Sequence, residues 1–150
     1  MQRILAAVDF SNVTGKVVEV AADLARRLGA QLRLMHADLL EAYFVHHGLD
    51  YAEGFEAQAS LEAITGKRES STKAMEELCR QVREAGVETS SVILEGETVI
   101  EILREAEEFE ADLIVIGSHR HGRLYQALFG GTQEAVISRA HCPVLVVPKE

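Results

Sequence analysis

The sequence predicts a single α/β domain built on a parallel sheet with helices wound over both faces. Three observations predict it. Apolar runs of strand length recur at residues 4–8, 31–37, 89–94, 113–116 and 143–147. Between them lie four stretches whose apolar residues repeat at helical spacing. The two kinds of element alternate, which is the pattern of right-handed strand–helix–strand crossovers. The chain of 150 residues is the size of one domain, taken as 1–150, and is long enough to bury a sizeable core.

Ile4-Leu5-Ala6-Ala7-Val8 is apolar throughout and ends at Asp9, as a strand buried on both faces does. Asp9-Phe10-Ser11-Asn12 then offers turn and helix N-cap chemistry. Val17, Ala21, Leu24, Ala25 and Leu28 share a helical face opposite Glu19, Asp23, Arg26 and Arg27, and Gly29 is placed to end that helix. Leu32, Leu34 and Met35 mark the second strand, closed by Ala37.

Residues 39–71 are less regular. His46-His47-Gly48 and Gly54 interrupt any single helix. A helical segment is expected around residues 57–64, with Gly66-Lys67-Arg68-Glu69-Ser70-Ser71 exposed beyond it. This excursion is too short to bury a core of its own. Ala74, Leu78, Val82 and Ala85 mark the next helix, closed by Gly86, with Cys79 on its apolar face.

The third strand follows at residues 89–94. Gly96-Glu97-Thr98 precedes a helix carrying Val99, Ile102, Leu103 and Ala106 at i, i+3, i+4 and i+7. Asp112 introduces the fourth strand, Leu113-Ile114-Val115-Ile116. A helix over residues 133–139 leads to the fifth, Pro143-Val144-Leu145-Val146-Val147, which Pro148 stops.

Composition narrows the function. A net charge of −9 argues against a nucleic-acid partner, which needs a basic footprint. No apolar run is long enough to cross a bilayer and no signal peptide is visible, so the expected location is cytoplasmic. Cys79 and Cys142 have no metal-like spacing and fit free, reduced thiols.

The stretch from Gly117 to Thr132 carries the most chemistry. It joins the fourth strand to the last helix and holds His119, Arg120, His121 and Arg123, with glycines at both ends. Bare backbone and a helix start present N–H donors to an anion, most naturally phosphate. In a doubly wound sheet, ligands bind beyond the carboxyl ends of the strands where the winding reverses. If the first and fourth strands are neighbours there, Asp9 and Gly117 face one crevice.

Other constellations lead to plainer readings. His119 and His121 lack a third ligand, so no metal is expected. His46-His47 fits a surface loop, and His141 the entry to the last strand. Ser118-His119 are neighbours in sequence only, and no Walker pattern or nucleophile elbow is present. Glu76, Glu77, Arg80, Arg83 and Glu84 form a solvated helix face. No acid–base pair supports an enzyme, and turnover is expected to be absent or slow.

With these residues in view, the chain resembles the universal stress protein family over nearly its whole length. The resemblance rests on Ile4-Leu5-Ala6-Ala7-Val8-Asp9-Phe10-Ser11, Leu34-Met35-His36-Ala37 and Ala111-Asp112-Leu113-Ile114-Val115-Ile116-Gly117-Ser118-His119. Gly130 and Cys142-Pro143-Val144-Leu145-Val146-Val147-Pro148 complete it. It implies the strand order 3-2-1-4-5 and a homodimer paired through the last strand, from Pro143 to Val147. Pairing there would cover an open edge rich in Val and Leu.

The resemblance also implies ATP or a related adenine nucleotide as ligand, with Mg accompanying it, and a role in stress sensing or signalling. Many members use Gly, two residues, Gly, nine residues, Gly, then Ser or Thr. Gly117 and Gly130 match the first and third positions, Arg120 stands at the second with Gly122 two places late, and Gly131 replaces the last with Thr132 following. Arg120 either obstructs the phosphate path or grips a phosphate with its guanidinium fork. By the same resemblance Ala7, Asp9 and Ala37 lie near the base and ribose. Ile116, Gly117, His119, Arg120, Gly122, Gly130, Gly131 and Thr132 complete the expected nucleotide-binding residues. The altered signature keeps a second reading alive: a protein-interaction module that binds no nucleotide.

Overall fold

The structure is a computed structural model that describes residues 1–38, 55–118 and 131–149. Five strands and four helices alternate along these residues: β1 (Arg3–Ala7), α1 (Thr14–Leu28), β2 (Gln31–Asp38), α2 (Phe55–Glu84), β3 (Thr89–Glu95), α3 (Thr98–Glu108), β4 (Leu113–Ser118), α4 (Thr132–Arg139) and β5 (Val144–Pro148). All strands are parallel, in the order β3-β2-β1-β4-β5. The sheet therefore has the order the resemblance implies.

Alternation along the strands sorts side chains into two cores. Ile4, Ala6, Leu34 and Val115 pack with Val17 and Ala21 of α1 and with Met75, Cys79 and Val82 of α2. Leu5, Met35, Ile114 and Ile116 pack on the other face with Val99, Ile102 and Ala106 of α3 and Val136 of α4. The central strands are thus covered on both sides, which is why β1 and β4 are apolar without alternation.

Helix ends follow local chemistry. Gly29 takes φ +63° and its N–H returns to the Ala25 carbonyl, closing α1. The Glu97 carboxylate accepts from the Val99 and Ile100 amides and so caps α3.

Two expectations are corrected. The helical segments expected around 57–64 and 74–85 are one helix, because α2 runs without interruption from Phe55 to Glu84, and of the stretch expected to be exposed, residues 66–70 are exposed while Ser71 is buried. Ile64, Ser71, Met75, Cys79 and Val82 are its buried stripe, and Ser71 is the polar member that hides the periodicity. Lys67 and Arg68 are held by ion pairs to Asp38 at 2.9 Å and Glu95 at 2.8 Å, the last residues of β2 and β3. His46-His47-Gly48 and Gly54 lie outside the described residues. The second correction concerns β4, which continues through Gly117 and Ser118, so the strand-to-helix connection begins later than expected.

Asp112 fixes the start of the central pair. Its carboxylate accepts from the Gln2 amide at 2.6 Å and the Arg3 amide at 3.0 Å. Those two amides hold its carboxyl below the usual carboxylate range. A depressed folded pKa contributes stability that is present above the unfolded value of about 3.9 and lost as pH falls through the folded one. Asp112→Asn should therefore lower stability at about pH 7, and the gap to the parent should narrow by about pH 3. Urea unfolding at the two pH values checks this.

Candidate functional site at the strand tips

The sheet order reverses between β1 and β4. Ala7 stands opposite Met35 on one side and Ile116 on the other, so the carboxyl ends of β1, β2 and β4 lie side by side. Asp9 follows β1, Ala37 and Asp38 end β2, and Gly117 and Ser118 end β4. This is the switch point at which doubly wound sheets form a crevice.

The turn after β1 is closely bonded. Asp9 Oδ1 accepts from the Ser11 amide at 3.0 Å and the Thr14 hydroxyl at 3.3 Å. The Thr14 amide donates to the Ser11 carbonyl at 3.1 Å. Asp9 is thus a turn former. Of the two expected roles, turn and N-cap, it takes the first, since Val13 occupies the N-cap place and its side chain makes no cap. Phe10 lies in the left-handed region at φ +58°. His36, buried on β2, meets this turn with its Nδ1 2.8 Å from the Val8 carbonyl and its ring 4.6 Å from that of Phe10. Ser11 Oγ is shut off from solvent with no hydrogen-bond partner among the described residues. A buried hydroxyl in that state is costly, and a ligand acceptor or donor would relieve it.

The other wall joins β4 to α4. Gln133 donates from Nε2 to the Gly117 carbonyl at 2.9 Å, fastening the start of α4 to the tip of β4. Gly131 precedes the first helical residue and no side chain among the described residues caps the helix, so the amides of its first turn are candidate donors to an anion. Gly131 has φ −67°, which any residue adopts, and a Cβ there would come 3.0 Å from Gln133 Oε1. Gly117 is a glycine for lack of space: a Cβ would stand 2.6 Å from Val13 Cγ1 and 3.3 Å from Val17 Cγ2.

Ala7 and Ala37 are half-buried against the α3–α4 core, and Ile116 is fully buried there. Among the expected site residues, Ala7, Asp9, Ala37, Ile116 and Gly117 fall at the tips of the three adjacent strands. Gly131 and Thr132, both exposed, begin α4, which Gln133 ties to that edge. His119, Arg120, Gly122 and Gly130 lie outside the described residues.

Four residues at the site escape a sequence reading: Ser11, Thr14, His36 and Gln133. Thr14 carries a weak signal, as a hydroxyl residue at the start of an apolar periodicity. His36 and Gln133 bond or pack with partners distant in sequence, and nothing local marks the Ser11 hydroxyl as buried. Among the described residues no three His, Cys, Asp or Glu side chains gather as a metal site. Burial pushes the Cys142 thiol up, so it stays protonated at neutral pH.

Comparison with known proteins bears on the family and the fold. The universal stress protein family matches residues 1–148. A universal stress protein of Methanocaldococcus jannaschii is 30% identical over 149 residues, which is 99% of this chain and 82% of the relative. A solved universal stress protein in complex with cAMP has a TM-score of 0.69 at 21% identity, over 99% of this chain and 98% of that one. Another, from Archaeoglobus fulgidus in complex with dAMP, has a TM-score of 0.63 at 22% identity, over 97% of each chain. At that identity the two solved structures establish the shared fold. The chain belongs to the universal stress protein family.

Proposed function

We propose that this protein binds an adenine nucleotide between Asp9 and the start of α4, and acts as a dimeric stress-response sensor or signalling protein rather than as an enzyme. The reading rests on one observation: at the single reversal of the sheet, a bonded acidic turn with an unpartnered Ser11 hydroxyl stands beside a strand tip fastened to an uncapped helix start. The donors of α4 suit phosphate, and Asp9 suits a ribose hydroxyl. The cAMP and dAMP complexes of structural relatives point to the same ligand class. Binding is proposed without turnover.

Titration calorimetry with ATP, cAMP and dAMP tests the ligand. Saturable heat is expected with at least one of them. Asp9→Ala should weaken it by about tenfold, the effect of losing a charged hydrogen bond. No heat with any of the three at millimolar concentration would reject nucleotide binding and leave the protein-interaction reading.

The proposed dimer pairs through β5, where Val144, Leu145 and Val146 are only half-buried on an edge strand. Light scattering should give twice the mass of one chain, and Leu145→Lys should bring it down to one. A monomeric parent protein would reject the pairing.

A further inference from the structure

We infer that His36 is the positioning residue of the turn between β1 and α1: it holds Phe10 in the left-handed conformation and thereby sets where Asp9 stands at the tip of β1. The hold on the turn stands on geometry alone. Its effect on ligand affinity rests on the nucleotide reading above.

Phe10 at φ +58° is unusual, because a bulky L side chain there crowds the backbone. Such a conformation persists only where the surroundings over-determine it, and it gathers at functional sites. Here it directly follows Asp9. His36 reaches the turn in two ways. Its Nδ1 lies 2.8 Å from the Val8 carbonyl, and since a carbonyl can only accept, Nδ1 carries the hydrogen and donates. Its ring meets the Phe10 ring at 4.6 Å between centroids, tilted by 49°.

The place of the first contact explains its use. The Val8 amide still pairs with the Met35 carbonyl at 2.8 Å, the last backbone bond from β1 to β2. The imidazole then supplies the partner for the Val8 carbonyl where the ladder stops. From there the chain passes through Asp9 to the strained residue. On the far side, the Asp9 carboxylate closes the turn onto Ser11 and Thr14. His36 and Asp9 therefore grip the turn from opposite flanks. Without His36, Phe10 is free to leave the left-handed region and the turn spends only part of its time in the binding geometry. Apparent affinity falls by that fraction.

Two substitutions separate the donor from the ring. His36→Asn keeps a donor near the place of Nδ1, and His36→Phe keeps a ring without the donor. Amide exchange at residues 9–12 and ATP titration are the readouts. His36→Phe should speed exchange and weaken ATP by about tenfold each, with the sheet as protected as in the parent. His36→Asn should stay within about threefold of the parent.

Phe10→Gly removes the strain, so adding His36→Phe to it should cost no more than about threefold. Three results would each overturn the assignment: a folded His36→Phe with parental exchange and affinity, His36→Asn as damaging as His36→Phe, or the full loss persisting beside Phe10→Gly. Should His36→Phe not fold, His36→Gln takes its place, since its amide reaches the Nε2 side of the ring. If the parent binds no adenine nucleotide, the nucleotide reading falls and exchange alone decides the role of His36.

Discussion

Gly117→Val is expected to cost about 3 kcal/mol of stability, and Gly117→Ala about 2 kcal/mol. The cause is space and not backbone freedom. A Cβ at residue 117 would lie 2.6 Å from Val13 Cγ1, closer than packed carbons approach, and 3.3 Å from Val17 Cγ2. Both valines are buried and β-branched, so neither has a second rotamer to retreat into. Val13 immediately precedes α1, and pushing it displaces the turn that carries Asp9. ATP affinity should therefore fall together with stability. Val13→Ala vacates the space, so Gly117→Ala combined with Val13→Ala should be less destabilised than the two single costs added. Urea unfolding of the four proteins checks the cycle. A Gly117→Ala variant as stable as its parent would mean that β4 and α1 are not this close.

That glycine shows what sequence can and cannot convey. Its position in a glycine-bearing stretch pointed to bare backbone near a ligand. The valines that require it lie about a hundred residues earlier, and only the fold brings them together. Apolar runs and turn residues located all five strands to within two residues at each end, because strands buried on both faces leave a dense local trace. The strand order came from the resemblance, since periodicity carries no information on which strands are neighbours.

The failures have physical causes of the same kind. α2 read as two pieces because Ser71 is a buried polar residue on its stripe and because the partners of Lys67 and Arg68 belong to other elements. For Asp9 local chemistry offers a turn and a helix cap alike, and the turn occupies its carboxylate before the helix begins. His36 sits in an apolar-looking strand, and the atom it bonds is a backbone oxygen on the adjacent strand. The candidate site is legible in outline wherever glycine and acid mark it. It is hidden wherever a side chain serves a partner across the sheet.

Arg33→Met is expected to be the most damaging substitution on the opposite half of the sheet, at about 3 to 4 kcal/mol. Arg33 stands on β2 beneath α3. Its NH1 donates to Glu105 Oε1 at 2.7 Å, its Nε donates to the hydroxyl of Ser90, its register partner on β3, at 3.1 Å, and its guanidinium lies 4.2 Å above the Phe109 ring. The Glu105 side chain is only 4% exposed. Removing the arginine leaves a buried carboxylate without its counter-charge, which costs far more than the pair contributes. Converting both partners removes the problem, so Arg33→Met with Glu105→Leu should return to within about 1 kcal/mol of the parent. A single substitution that costs under about 1 kcal/mol would show the carboxylate solvated or the pair absent. The network sits low on β2, away from its carboxyl end at Ala37 and Asp38. The variant population that stays folded should therefore bind ATP as the parent does, whereas Gly117→Ala should not. That contrast separates damage to the fold from damage to the crevice.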